Sequence, residues 1–130
     1  MRDSVKGGAL TEVTFFVLLA VHAPRHGYAV MQFVEERTAG RLRLGAGSLY
    51  GAISALVEKG WAAALEEQDG RKKEYLVTNL GRQVAQAELE RLRGLVSTAE
   101  QIMEEAEHEE DIQVLRGFPG AAGALAEQLV

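Results

Sequence analysis

The chain has 130 residues, 47% of them apolar and 25% charged, with no cysteine and a net charge of −5. That is enough for one modest core, and it excludes a disulfide framework, thiolate chemistry and a zinc finger. The charge is unevenly placed, since residues 1–83 carry eleven Lys and Arg against nine Asp and Glu while residues 84–130 carry three against ten, so the two parts are expected to do different jobs.

The longest strongly apolar run, Phe15 to Val21, is too short to span a bilayer, and no charged segment with a small-residue cleavage site precedes it. The expectation is a cytoplasmic protein that is neither exported nor membrane-anchored. Leu10 to Ala23 is predicted to be helical, with Thr11 as N-cap and Glu12 at the positive end of the dipole. Its apolar residues run almost all the way round, which predicts burial on two sides, by its own core and by another chain. His22, inside this segment, is read as a core residue. Pro24 stops the helix, and His26 and Gly27 form a corner into a second one, Tyr28 to Thr38. In that helix Tyr28, Met31 and Val34 are expected inward and Gln32, Glu35 and Glu36 outward, and Gly40 ends it.

A third helix is predicted within "GAGSLYGAISALVEKGW", Gly45 to Trp61. Leu49, Ile53, Leu56 and Val57 make its inner stripe, Ser48 marks its N-terminus and Gly60 stands where a C′ residue belongs. Its outer side is pared down to Ser48, Gly51, Ser54 and Ala55, which suits close approach to something large and grooved. Two short strand-like runs, "WAAALEE" and "KEYLVT", flank Asp69-Gly70, a dipeptide that tight hairpins demand. Three helices followed by a hairpin is the order of a winged helix-turn-helix, whose third helix enters the major groove while the wing lies along the backbone or minor groove. Small outer side chains let that helix sit deep, free N–H groups near Ser48 face a phosphate, and Arg71, Lys72 and Lys73 at the wing tip are placed for phosphate contacts. From the residues alone, Tyr50 is equally a partly buried core tyrosine or a DNA contact, and the wing cations an ordinary solvated loop or a phosphate clamp.

Thr78 caps a long helix predicted over Asn79 to about Glu109, in which Ala85, Leu89, Leu92, Val96, Ala99, Met103 and Ala106 form a heptad seam. With no second long helix in the chain, the seam is expected to pair with its copy in a homodimer. Acidic residues opposing the dipole predict fraying from about Glu107, and Phe118-Pro119-Gly120 opens a loose, unassigned tail. Glu104 and His108 have metal-ligand spacing but lie among carboxylates and are read as a solvated acidic face, so no metal and no other cofactor is expected. The fold class is mainly α (α+β): a winged helix-turn-helix DNA-binding domain over 1–78, a dimerisation helix over 79–110 and a tail over 111–130.

The stretches "HGYAVMQFVEE", "GSLYGAISALVEKGW" and "DGRKKEYLVTNLGR" together resemble the PadR-type transcriptional regulators over about residues 10 to 83. The matching positions are His26, Gly27 and Tyr28; Gly47, Ser48, Leu49 and Tyr50; Gly60; and Tyr75, Thr78 and Gly81. The resemblance implies a dimeric repressor of the compact subclass, with a single C-terminal dimerisation helix, binding double-stranded DNA through Ser48, Tyr50 and the basic residues of the wing. It also implies that a small hydrophobic effector can act at the dimer interface, although no residue names one. The chain departs from the pattern after the tyrosine, where Gly51, Ala52, Ser54 and Ala55 replace the more polar or basic side chains usual there. Base readout by Arg or Lys from this helix is therefore not expected, and specificity leans on Tyr50, Ser54 and DNA shape. The expected DNA-binding set is Ser48, Tyr50, Gly51, Ser54, Arg71, Lys72 and Lys73, on an inverted-repeat operator. No G-x-S-x-G elbow, phosphate loop or cysteine supports an enzyme. The alternative is a winged helix used as a protein-protein interaction module.

Overall fold

The computed structural model describes the backbone at residues 5–6, 8–66, 70 and 72–115, with side chains from residue 8 to residue 110 within those ranges. The chain divides into two compact units, 1–91 and 92–130. The first contains the winged helix and the opening turns of the long helix.

Two short strands, β1 (Val5–Lys6) and β2 (Ala9–Leu10), pair antiparallel around Gly8, whose φ of 86° is left-handed. Helix α1 (Glu12–Ala20) starts as expected, with the N–H of Thr14 donating to the Thr11 hydroxyl at 3.2 Å. Val17, Leu18, Ala20 and Val21 are fully buried, while Phe15 and Phe16 are half-buried with their rings edge to face at 6.1 Å. His22 is half-buried rather than in the core, and its Nδ1 lies 2.9 Å from the carbonyl of Leu18.

Strand β3 (Arg25–His26) and helix α2 (Gly27–Arg37) follow. The helix begins one residue before the expected start because His26 caps it, accepting the Ala29 N–H at 3.2 Å on Nδ1. Its buried residues are Gly27, Val30 and Val34. Tyr28, expected inward, is 52% exposed, since at about 100° per residue it lies roughly 100–160° round the helix from each of those three. Met31 is half-buried.

Helix α3 (Ala46–Glu58) begins three residues earlier than Ser48 would have it: Gly45 is the N-cap, without a side-chain hydrogen bond, and Ser48 stands inside the first turn. Leu49, Ile53 and Leu56 are buried as predicted. Val57 is instead 38% exposed and Ala55 buried, a reversal of the two expectations. The helix packs against α1, α2 and the strand β4, an arc wider than one stripe; Ala55, whose methyl barely rises above the backbone, falls within it and Val57 does not.

Strands β4 (Ala62–Ala64) and β5 (Glu74–Val77) form the expected hairpin, with Ala62 opposite Val77 and Ala64 opposite Tyr75. Gly70 has the left-handed φ of 72° a tight turn needs; Asp69 and Arg71 lie outside the described residues. The sheet has three strands rather than two, in the order β3-β5-β4, because Arg25 pairs with Tyr75 and His26 with Glu74.

The exit from the wing is a joint held by one hydroxyl. Thr78 Oγ1 donates to the carbonyl of Gly60 at 2.6 Å and accepts the N–H of Gly81 at 3.0 Å, while the Thr78 N–H donates to the carbonyl of Trp61 at 3.0 Å. Gly60 itself has φ of 76°, the left-handed residue that ends α3. Helix α4 runs Asn79–Leu115, past the expected end near Glu109. The dipole penalty on acidic residues in a last turn, about 0.3–1 kcal/mol, is too small to stop a stretch that holds no Gly or Pro and in which Glu109, Glu110, Gln113 and Leu115 are good helix formers. Ala85 belongs to the buried core. Glu88 is also buried, where it accepts the Leu10 N–H at 3.3 Å and takes two bonds from the Arg91 guanidinium at 2.7 and 2.8 Å. Those Arg91 hydrogen bonds hold its carboxyl below the ordinary glutamate range, although burial pushes the other way.

Candidate nucleic-acid interface

From Gly45 to Val57 the helix α3 carries no charged side chain. Its exposed positions include Ala46, Gly47, Ser48, Tyr50, Gly51 and Ser54. Gly45, Gly47 and Gly51 have open space where a Cβ would stand, and none has a left-handed backbone. Nothing among the described residues therefore requires glycine there, although each glycine within a helix costs about 0.5–1 kcal/mol relative to alanine.

Tyr50 stands up from this face, 50% exposed, and its hydroxyl has no hydrogen-bond partner among the described residues. It separates two clefts. One, of about 220 Å³, is lined by His26, Gly27, Tyr28, Tyr50, Lys72, Lys73 and Tyr75. The other, of about 330 Å³, lies between α3 and the wing, against Ile53, Ser54, Val57, Glu58 and Ala64, with Tyr50, Lys73 and Tyr75 as the shared wall. Two lysines and three phenols thus converge where the start of α2, the outer face of α3 and the wing meet.

The structure brings Tyr50, Ser54, Lys72 and Lys73 of the expected set to these clefts and leaves Ser48 and Gly51 on the exposed face of the same helix. Tyr28 and Tyr75 line the first cleft without having been expected there. Spacing alone places Tyr28 inward, and Tyr75 is brought in by pairing with Arg25 across forty-nine intervening residues in sequence, which no local pattern encodes. Of the seam on α4, Ala85 is buried and Leu92 half-buried, while Leu89, Val96, Ala99, Met103 and Ala106 are exposed. Leu95 and Ile102, outside the seam, are 56% and 59% exposed and widen the same apolar stripe. No group of three or more potential metal ligands occurs among the described residues, and no helix of the structure is long and apolar enough to cross a membrane.

Three helices, a short three-stranded wing and a long C-terminal helix define a winged helix-turn-helix protein of the transcription-regulator class. The chain belongs to the PadR-like family of transcriptional regulators, whose family model matches residues 17–87. It is 40% identical over 76 residues to an uncharacterised 37.1 kDa protein in transposon TN4556 of Streptomyces fradiae, a match covering 56% of this chain and 21% of that protein. The chain therefore spans about a fifth of that relative's length. A PadR family transcription regulator from Clostridium difficile R20291 shares the fold at 15% identity, with a TM-score of 0.61 over 72% of this chain and 99% of its own. RosR of H. salinarum is 26% identical, with a TM-score of 0.53 over 87% of this chain and 96% of its own.

Proposed function

We propose that the chain is a dimeric repressor that binds an inverted-repeat operator in double-stranded DNA. The outer face of α3 lies in the major groove, with Ser48, Tyr50, Gly51 and Ser54 against it, and Arg71, Lys72 and Lys73 of the wing engage phosphates. The observation that carries this reading is the convergence of Tyr50, Lys72 and Lys73 on one cleft beside a helix face stripped of bulk and charge. Phosphate contacts supply affinity and positioning, and the absence of Arg, Lys, Asn and Gln from the helix face leaves specificity to hydroxyls, methyl contacts and DNA shape. The two protomers pair through the apolar stripe of α4, a reading supported by its exposure in the single chain. Repression is the sign of regulation adopted from the family; a hydrophobic effector is not part of the proposal.

The test is the dependence of affinity on salt, measured with a duplex selected by the wild-type protein from a randomised pool. Each phosphate contact contributes about 0.9 to the slope of log affinity against log salt, so Lys72→Ala and Lys73→Ala should each lower it by roughly one and weaken all sequences alike. A flat slope in the wild type would instead favour a protein-binding winged helix.

A further inference from the structure

Gly27 is the first residue of α2 and is buried. Its backbone is not left-handed, so the conformational freedom of glycine is not what the position uses. The constraint is spatial. A Cβ at Gly27 would stand 2.6 Å from the Tyr50 hydroxyl oxygen and 2.8 Å from Cε1 and Cζ of the same ring. The Tyr50 ring therefore lies directly on the backbone at the start of α2, and, the neighbouring residues and the helix's own backbone apart, its atoms are the three nearest to that point among the described residues.

The support beneath the ring is itself fixed on two sides. His26, the residue before Gly27, is paired with Glu74 of the wing and caps α2 through Nδ1. Tyr75, next along the wing, shares both clefts with Tyr50. We propose that Gly27 is a positioning residue for DNA recognition: the missing side chain is a seat that sets the height and direction of the Tyr50 hydroxyl above the face of α3. The inference rests on Tyr50 touching DNA, as in the function proposed above. A methyl group at position 27 pushes the far end of the ring, the flexible end of a half-exposed side chain, out of its seat while the backbone of α2 keeps an ordinary helical residue.

A double-mutant cycle on Gly27→Ala and Tyr50→Ala tests this, read by affinity for the selected duplex and by thermal melting. Tyr50→Ala should weaken binding about tenfold or more, the scale of one lost hydrogen bond to a charged group. Gly27→Ala should weaken it to a similar degree in the wild-type background and have no further effect on Tyr50→Ala. Combined with Ser48→Ala, at a proposed contact that lines neither cleft, the Gly27→Ala loss should multiply instead. If Gly27→Ala melts early, Gly27→Ala with Tyr50→Ala should recover the melting temperature of Tyr50→Ala, because the obstructing ring is gone. Gly27→Ala binding at wild-type strength while Tyr50→Ala is weak overturns the positioning role and leaves the DNA reading intact. The same holds if the Gly27→Ala loss persists in full without the ring, or if the double variant still fails to fold. Wild-type affinity in Tyr50→Ala, or failure of the wild-type protein to enrich any duplex, overturns the contact itself and this inference with it.

Discussion

Gly81 and Gly51 are both helical glycines, and alanine at each should act in opposite directions. At Gly81 a Cβ would stand 2.0 Å from the carbonyl oxygen of Trp61 and 2.8 Å from a methyl of Val77, so backbone has to give way. Gly81→Ala should lower stability by about 1–3 kcal/mol or more, as overpacking does, and depress the melting temperature accordingly. At Gly51 a Cβ would meet no described atom within 4 Å beyond its chain neighbours and its own helix backbone. Gly51→Ala should stabilise the helix by up to about 1 kcal/mol and yet weaken DNA binding, because a methyl is added on the face proposed to seat in the groove. Opposite signs in a thermal melt and a binding titration cannot arise from damage to the fold. A Gly51→Ala protein that melts higher and binds as tightly as the wild type would show that this face does not approach DNA closely.

At the level of elements, the legible features were those whose causes are local. Thr11 and Thr78 were readable as caps, Leu49, Ile53 and Leu56 as a stripe and Gly60 as a helix terminator, because each acts within one or two turns. β3 was not readable: Arg25 and His26 show no apolar alternation and become a strand only by pairing with Tyr75 and Glu74. The phase of α2 is legible at Val34, which is buried as expected, but not at Tyr28, because the first buried position of the stripe is Gly27, a glycine that counts as apolar only through the ring lying on it. Nothing in composition or spacing singled out Glu88, whose burial joins α4 to β2 through the Leu10 N–H. Its folded-state pKa lies below the unfolded one, so its stabilisation is fully present above the unfolded value and is lost as pH falls through the folded one. Wild-type stability should therefore decline on acidification below the ordinary glutamate range. Glu88→Gln, less stable at neutral pH, should show a flatter acid limb in denaturant midpoints taken against pH; an equally steep limb would mean that another carboxylate governs it.

For the whole molecule, the question is how two recognition helices come to be presented together. If the apolar stripe of α4 pairs protomers, a charge in it should abolish the dimer at a cost of several kcal/mol for an unpartnered buried carboxylate. Val96→Asp is the informative substitution, because Val96 is 53% exposed in the single chain and lies in the second unit, at residues 92–130. The variant should remain folded, sediment as a monomer and lose the preference for a full inverted repeat, since the second half-site is no longer engaged at high effective concentration. The two half-sites of the wild-type operator should be centred about one turn, roughly 10 base pairs, apart. A folded Val96→Asp protein that stays dimeric would place the interface elsewhere.

The order of the small sheet bears on how copies of this chain meet each other. β5, its longest strand, is central and paired on both sides, and the strands left at the edges, β3 and β4, are two and three residues long. An edge that short offers an incoming strand too few free N–H and C=O groups to template a ladder. In this sheet, then, the stickiness that drives β-aggregation is already used up internally, and a second copy of the chain finds here no strand edge long enough to turn an encounter into fibre growth.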